Sequence, residues 1–195
     1  MDSYSFLRQL VSANRSYRRF DESASLDHNL IRSWIDLARH SPSGRNMQPL
    51  KYVICADRKT NTLIFGHLAW AGYLKEWPGP QEGERPAAYI AVLKDKTLAE
   101  NIFCDDGIAM QSILLGAVSS GFGGCIIGSF NKSKIRYVLD IPDHLDILYM
   151  VALGKPAETV VTEDLAGEDI RYWRDSQSIH HVPKRTLDEL IIKEI

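Results

Sequence analysis

Cysteine is scarce in this chain and scattered along it. The three thiols, Cys55, Cys104 and Cys125, form no C-x-x-C pair and their number is odd. A disulfide framework is therefore not expected, and a reduced, cytosolic setting is. Charge of one sign is missing as well. The net charge is -2, which leaves no basic field to hold nucleic acid. No apolar run approaches the length of a membrane span. The first nine residues carry Asp2 and Arg8 where a leader would have its apolar core, so no signal peptide is expected and a cytoplasmic location is.

The common nucleotide and hydrolase motifs are also absent. Gly121 and Gly123 resemble the start of a G-x-G-x-x-G fingerprint, but Ile126 stands where the third glycine belongs. The pair also follows an expected helix and precedes an expected strand, the reverse of the Rossmann order. No P-loop and no G-x-S-x-G elbow occurs. His180 and His181 are adjacent and have no acidic or cysteine partners at ligand spacing, so no metal site is expected there.

What remains is an ordinary globular composition, 45% hydrophobic and 25% charged over 195 residues. That length suits one domain with one sizeable core. Apolar periodicity predicts helices over residues 4–13, 30–38, 60–75, 105–120 and 132–139. Ser25 or Asp27 caps the second of these and Asn131 the last. Strands are expected at 52–56, 87–93, 125–130 and 147–153. An α/β or α+β sandwich follows, with helices on a central sheet. Trp70, Tyr73 and Trp77 have helical spacing, which fits core packing and equally a lid. The stretch 168–185 is polar without a clear period, with Tyr172 and Trp173 as isolated anchors. Such a tail must lie on its own body or on a partner subunit.

Three segments carry candidate chemistry. Arg15-Ser16-Tyr17-Arg18-Arg19-Phe20 packs three guanidinium groups beside hydroxyls, and such forks fit phosphate oxygens. Ser41-Pro42-Ser43-Gly44-Arg45-Asn46-Met47-Gln48-Pro49 is a stiffened loop whose amides, Asn46 and Gln48, read the edge of a uracil-like ring. Gly121 to Phe130 is glycine-rich, and glycines let a flat ring approach the backbone closely and expose N–H groups. Each has a plainer reading: a solvated face, a bare loop, and a helix stop before a buried strand.

Taken together and in this order, the three segments resemble the FMN-dependent nitroreductase family. Its members show R-S-x-R-x-F, then S-P-S-x-x-N-x-Q-P, then G-x-G-x-x-x-I-G, then L-G-x-P and a late basic pair. Here the last two are Leu153-Gly154-Lys155-Pro156 and Lys184-Arg185, and the resemblance runs from about residue 15 to 190. It implies a mainly antiparallel sheet flanked by helices, in an intertwined homodimer with FMN at the interface. It implies that Arg15 and Ser16 hold the phosphate and that Arg18 faces the pyrimidine edge. Pro42, Ser43 and Asn46, with Gln48 beside them, would line the ring from the partner subunit. The backbone near Gly124, Ile127 and Gly128 would meet the central ring, and Lys184 or Arg185 would close on the phosphate. The whole chain is then one FMN-binding domain, with 169–195 as a tail reaching the partner.

The implied reaction is ping-pong. NADH or NADPH gives hydride to FMN, and a nitroaromatic, a quinone or a similar small oxidant takes it away. No protein acid or base is required, because the flavin does the chemistry. Two other functions fit the same residues: a reductase or dehydrogenase dedicated to one metabolite, and an FMN-binding module without turnover. The chain departs from the family at Asn14, where many members carry another basic residue, and at Leu50, where many carry Trp.

Overall fold

The computed structural model describes residues 2–195. Its centre is an all-antiparallel sheet built from β2 (Leu50–Cys55), β3 (Ala88–Asp95), β5 (Leu145–Pro156), β4 (Gly123–Ile127) and β1 (Phe20–Asp21). The long strand β5 pairs β3 along one edge. Along the other it pairs β4 at Met150 to Gly154 and β1 at Lys155 and Pro156.

Alternation along the strands sorts the core into two layers. Ala88, Ile90 and Val92 of β3 face α2 (His28–Arg39) and α4 (Asp105–Ser119), packing on Ile31, Trp34, Ile113 and Ala117. Tyr89, Ala91 and Leu93 face the opposite way, toward Ile64 of α3 (Arg58–Phe65) and Ile135 of α5 (Lys132–Val138). Cys55 and Cys125 lie in this second layer, where burial pushes their thiols up to about 11 and about 12. Both are protonated, inert packing groups.

The helix expected over 60–75 stops at Phe65. Gly66 ends α3, and the chain turns to bridge Leu68 with Phe130. Leu68 and Trp70 then pack on the second core layer, and Ala71 adopts φ 38°. Burial of these two side chains outweighs continuation of the helical period. Trp70, Tyr73 and Trp77 accordingly do not share a helix face.

The tail is more structured than its composition suggests. β6 (Val160–Asp164), β7 (Trp173–Arg174) and β8 (His180–Lys184) form a second sheet in the order β6-β8-β7, with β6 and β8 parallel. Of its two aromatic anchors, Tyr172 rests on the chain's own body, whereas Trp173 is exposed and stacks on His181 within the tail sheet. Tyr172 packs on Tyr73 at 4.9 Å between centroids, and the Arg174 guanidinium lies 4.3 Å over Trp77.

Two elements bury little. Helix α1 (Ser3–Ala13) is capped by Asp2, whose carboxylate accepts from Ser5 N at 2.9 Å, yet none of its residues is buried. Tyr4, Phe6, Leu7 and Val11 are exposed, as are Leu187, Leu190, Ile191 and Ile192 at the far end of the chain. Among the described residues no helix is long and apolar enough to cross a membrane.

Candidate functional site

The segment around Arg15 leaves α1 and runs beside the start of β4. Ser16 forms a parallel bridge with Gly124, and Tyr17 N donates to Gly124 O at 3.1 Å. This approach requires the glycines. A Cβ on Gly123 would stand 2.6 Å from the Tyr17 ring, and one on Gly124 would stand 2.2 Å from the Ala152 carbonyl oxygen. The first and third candidate segments are therefore neighbours. Gly124 and Ile127 are buried in the sheet, while Gly128 is exposed just past its end.

Strand β8 completes the arrangement from the other end of the chain. Arg15, Ser16, Arg18, Tyr172, His180 and Lys184 line one cleft of about 240 Å³, in which no acidic side chain takes part. Arg15 spends its Nε and one Nη on the Asn14 and Val11 carbonyls at the end of α1. Arg18 donates to Ser16 O at 3.3 Å and lies 4.9 Å over the Tyr172 ring. Its Nη1 also sits 3.3 Å from His180 Nε2. Arginine only donates, so Nε2 accepts and the neutral imidazole carries its proton on Nδ1. Burial, then the charges of Arg18, Arg174 and His181, lower the His180 pKa to about 4.

The two members of the basic pair separate. Lys184 lines the cleft, whereas Arg185 turns to Glu189 at 3.2 Å on the surface.

Glu158 holds the cleft together, and sequence reasoning missed it. Its side chain is 1% exposed and pairs with Arg174 at 2.8 Å. It also accepts the backbone N–H groups of Arg18 and Arg19. Nothing in the sequence marks this one glutamate among many. Arg19, the third guanidinium of its cluster, pairs with Glu84 and takes no part in the cleft.

The second segment lies elsewhere. Pro42, Ser43 and Gln48 line a separate cavity of about 260 Å³ with Leu50, Tyr52 and Asp105. Arg45, Asn46 and Gln48 all have positive φ, 53°, 56° and 51°. This conformation is costly for residues other than glycine. It is held by buried Asp105 at the start of α4, which accepts from Ser43 Oγ at 2.6 Å and Gly44 N at 2.8 Å. Gln48 N in turn donates to Ser43 Oγ at 2.9 Å. Burial, then the Asp105 carboxylate, pushes the Tyr52 hydroxyl up to about 12. Asp105 was legible only as a helix start, not as the loop's anchor.

A phosphate ester fits the first cleft. Three cations meet there without a carboxylate to neutralise them, which favours an anion. A Cβ added to Gly128, at the exposed end of β4, would meet only the Tyr149 ring, at 3.6 Å, which leaves room for a flat group beside it.

The model of the nitroreductase family matches residues 11–155. The chain is 28% identical over 172 residues to an NADH dehydrogenase of Thermus thermophilus, covering 74% of this chain and 83% of that protein. A nitroreductase family protein from Streptococcus pneumoniae superposes with a TM-score of 0.68 at 19% identity, covering 96% of this chain and all of the other. An FMN-dependent nitroreductase from Clostridium difficile superposes with a TM-score of 0.62 at 18% identity, covering 82% of this chain and 91% of the other. This chain belongs to the nitroreductase family.

Proposed function

We propose that the protein is an FMN-dependent NAD(P)H oxidoreductase. The observation that carries this reading is the convergence of Arg15, Arg18 and Lys184, from opposite ends of the chain, on one cleft free of acidic groups. Bound there, FMN supplies the acceptance of hydride from NADH or NADPH and its delivery to a small oxidant such as a nitroaromatic or quinone.

The protein's own residues bind and orient. Lys184 and the free edge of Arg15 would neutralise the phosphate, and Ser16 would add its hydroxyl. Arg18 is fixed between Ser16 O, His180 and Tyr172. It places a full positive charge where the reduced pyrimidine edge gains negative charge. Main-chain groups at Ile127 and Gly128 meet the ring. Pro42, Ser43 and Gln48 line a cavity that shares no residue with the Arg18 cleft, and Asn46 belongs to the same loop. They complete the ring's other wall when contributed by a second copy in a homodimer. The exposed apolar faces of α1 and of residues 187–195 supply the surface for that association. Two names among the similar proteins, an NADH dehydrogenase and an FMN-dependent nitroreductase, support the donor and the cofactor.

The purified protein is expected to be yellow and to release FMN, not FAD, on denaturation. It should then oxidise NADH or NADPH when a quinone or nitroarene is supplied. Colourless protein that takes up no added FMN overturns the reading. Flavin binding without any turnover points instead to a binding module.

A further inference from the structure

A third cavity, also of about 260 Å³, opens between the turn at 22–26, helix α3 and the start of β3. It shares no lining residue with the Arg18 cleft. Its polar groups are unusually idle. Arg85 stacks 4.5 Å over Phe65, and among the described residues its guanidinium has neither an ion pair nor a hydrogen bond; its Nε is buried without a partner. Asn61 is 7% exposed and donates Nδ2 to Ala87 O at 2.8 Å, which leaves Oδ1 buried and unpaired. Tyr89 is 1% exposed, and its hydroxyl is also buried without a partner. Arg58 at the rim reaches Glu22 at 3.7 Å. Leu26, Ala56 and Phe65 give apolar wall between these groups.

Buried polar groups left unpaired are costly, and three on one cavity ask for a ligand that satisfies them together. A guanidinium pre-set by stacking on a ring presents its free edge to a carboxylate. Asn61 Oδ1 accepts only, so it calls for a donor near that carboxylate, and Tyr89 OH serves either role. The apolar wall suits a short aliphatic body. With two arginines against one glutamate, the lining suits one negative charge better than two.

We propose that this cavity binds a small organic acid bearing a hydroxyl or ammonium donor beside its carboxylate. Arg85 takes the carboxylate, Asn61 and Tyr89 take the donor, and Leu26, Ala56 and Phe65 contact the aliphatic part. Arg19, which follows Arg18 in sequence, pairs with Glu84, the residue before Arg85.

Calorimetric titration of the full-length protein with L-leucine, 2-hydroxy-4-methylpentanoate, 4-methylpentanoate and inorganic phosphate tests this. One of the first two acids should bind saturably. It should bind at least about tenfold more tightly than 4-methylpentanoate, which lacks the donor, and than phosphate, which lacks the body. Arg85→Gln should weaken that binding about tenfold or more. Ser25→Trp, an exposed position at the mouth, should block it while the melting temperature stays unchanged. No saturable binding of either donor-bearing acid overturns the proposal. So does equal binding of 4-methylpentanoate or phosphate, or binding indifferent to both substitutions.

Discussion

Lys184 and Arg185 are adjacent and chemically alike, yet the fold gives them different work. Lys184 faces the cation cleft and Arg185 pairs with Glu189 at the surface. Charge-assisted contacts contribute roughly 1.5–3 kcal/mol, so Lys184→Gln should weaken FMN about tenfold to a hundredfold. Arg185→Gln should leave the affinity within about twofold, since exposed pairs are worth about 0–1 kcal/mol. Fluorescence titration of the apoprotein measures both; equal losses would place the two residues in one site. Asp105 is a second case in which a single side chain governs a segment. Asp105→Ala leaves the Ser43 hydroxyl and Gly44 N–H without their acceptor. It should cost roughly 1–3 kcal/mol of stability per group, release the left-handed loop and lower FMN affinity, whereas Asp105→Asn keeps one acceptor and should recover part of both. A melting curve and a flavin titration on the pair decide this.

At the scale of elements, the tail sheet carries two histidines with opposite pH behaviour. In the unfolded chain an imidazole titrates near 6.5, and His180 in the fold titrates near 4. The unfolded state thus binds more protons between those values. The stability His180 contributes is complete above 6.5 and is lost as the pH falls toward 4. His181 stacks on Trp173 and meets Glu163 at 3.0 Å and Asp175 at 3.3 Å. Hydrogen bonds and charge from these carboxylates raise its pKa, Glu163 first. Its contribution is therefore present below 6.5 and fades as the pH rises through the raised value. Protection factors of the β8 amides, taken relative to the intrinsic exchange rate at each pH, should fall from pH 6.5 to 4, and His180→Phe should flatten that slope; an unchanged slope would assign the loss to other groups. This sheet was the element least legible in the sequence. β6 and β8 are short and polar, and they pair across a long connection, so no local period announces them. The strands β2, β3 and β5 were legible because they alternate over two buried faces, and α2 and α4 because their apolar positions face one sheet. Helix α3 was read too long: Trp70, Tyr73 and Trp77 keep a helical spacing while each serves a different contact. The Arg15, Ser43 and Gly124 segments were legible as chemistry but not as geometry, since only the fold shows Ser16 beside Gly124 and Ser43 in another cavity.

For the whole molecule, cofactor, tail and association are expected to stand or fall together. Residues 169–195 bring Lys184 and His180 to the cleft and also carry the exposed apolar end. Removing them should cost both flavin and dimer, as judged by absorbance and by size exclusion with light scattering. A yellow, stable monomer from either the full or the shortened chain would refute the coupling. Excess FMN at a hundred times its dissociation constant should stabilise the full chain by about 2.7 kcal/mol, and the shortened chain by far less. Arg18 and His180 touch across 162 positions of sequence. A ribosome adding roughly 5–20 residues per second therefore makes the first of them about 8–32 seconds before the second. During that interval the nascent chain presents its arginine cluster without Lys184, Tyr172 or His180 around it. Any polyanion nearby would meet those guanidinium groups first, until β8 arrives to withdraw them.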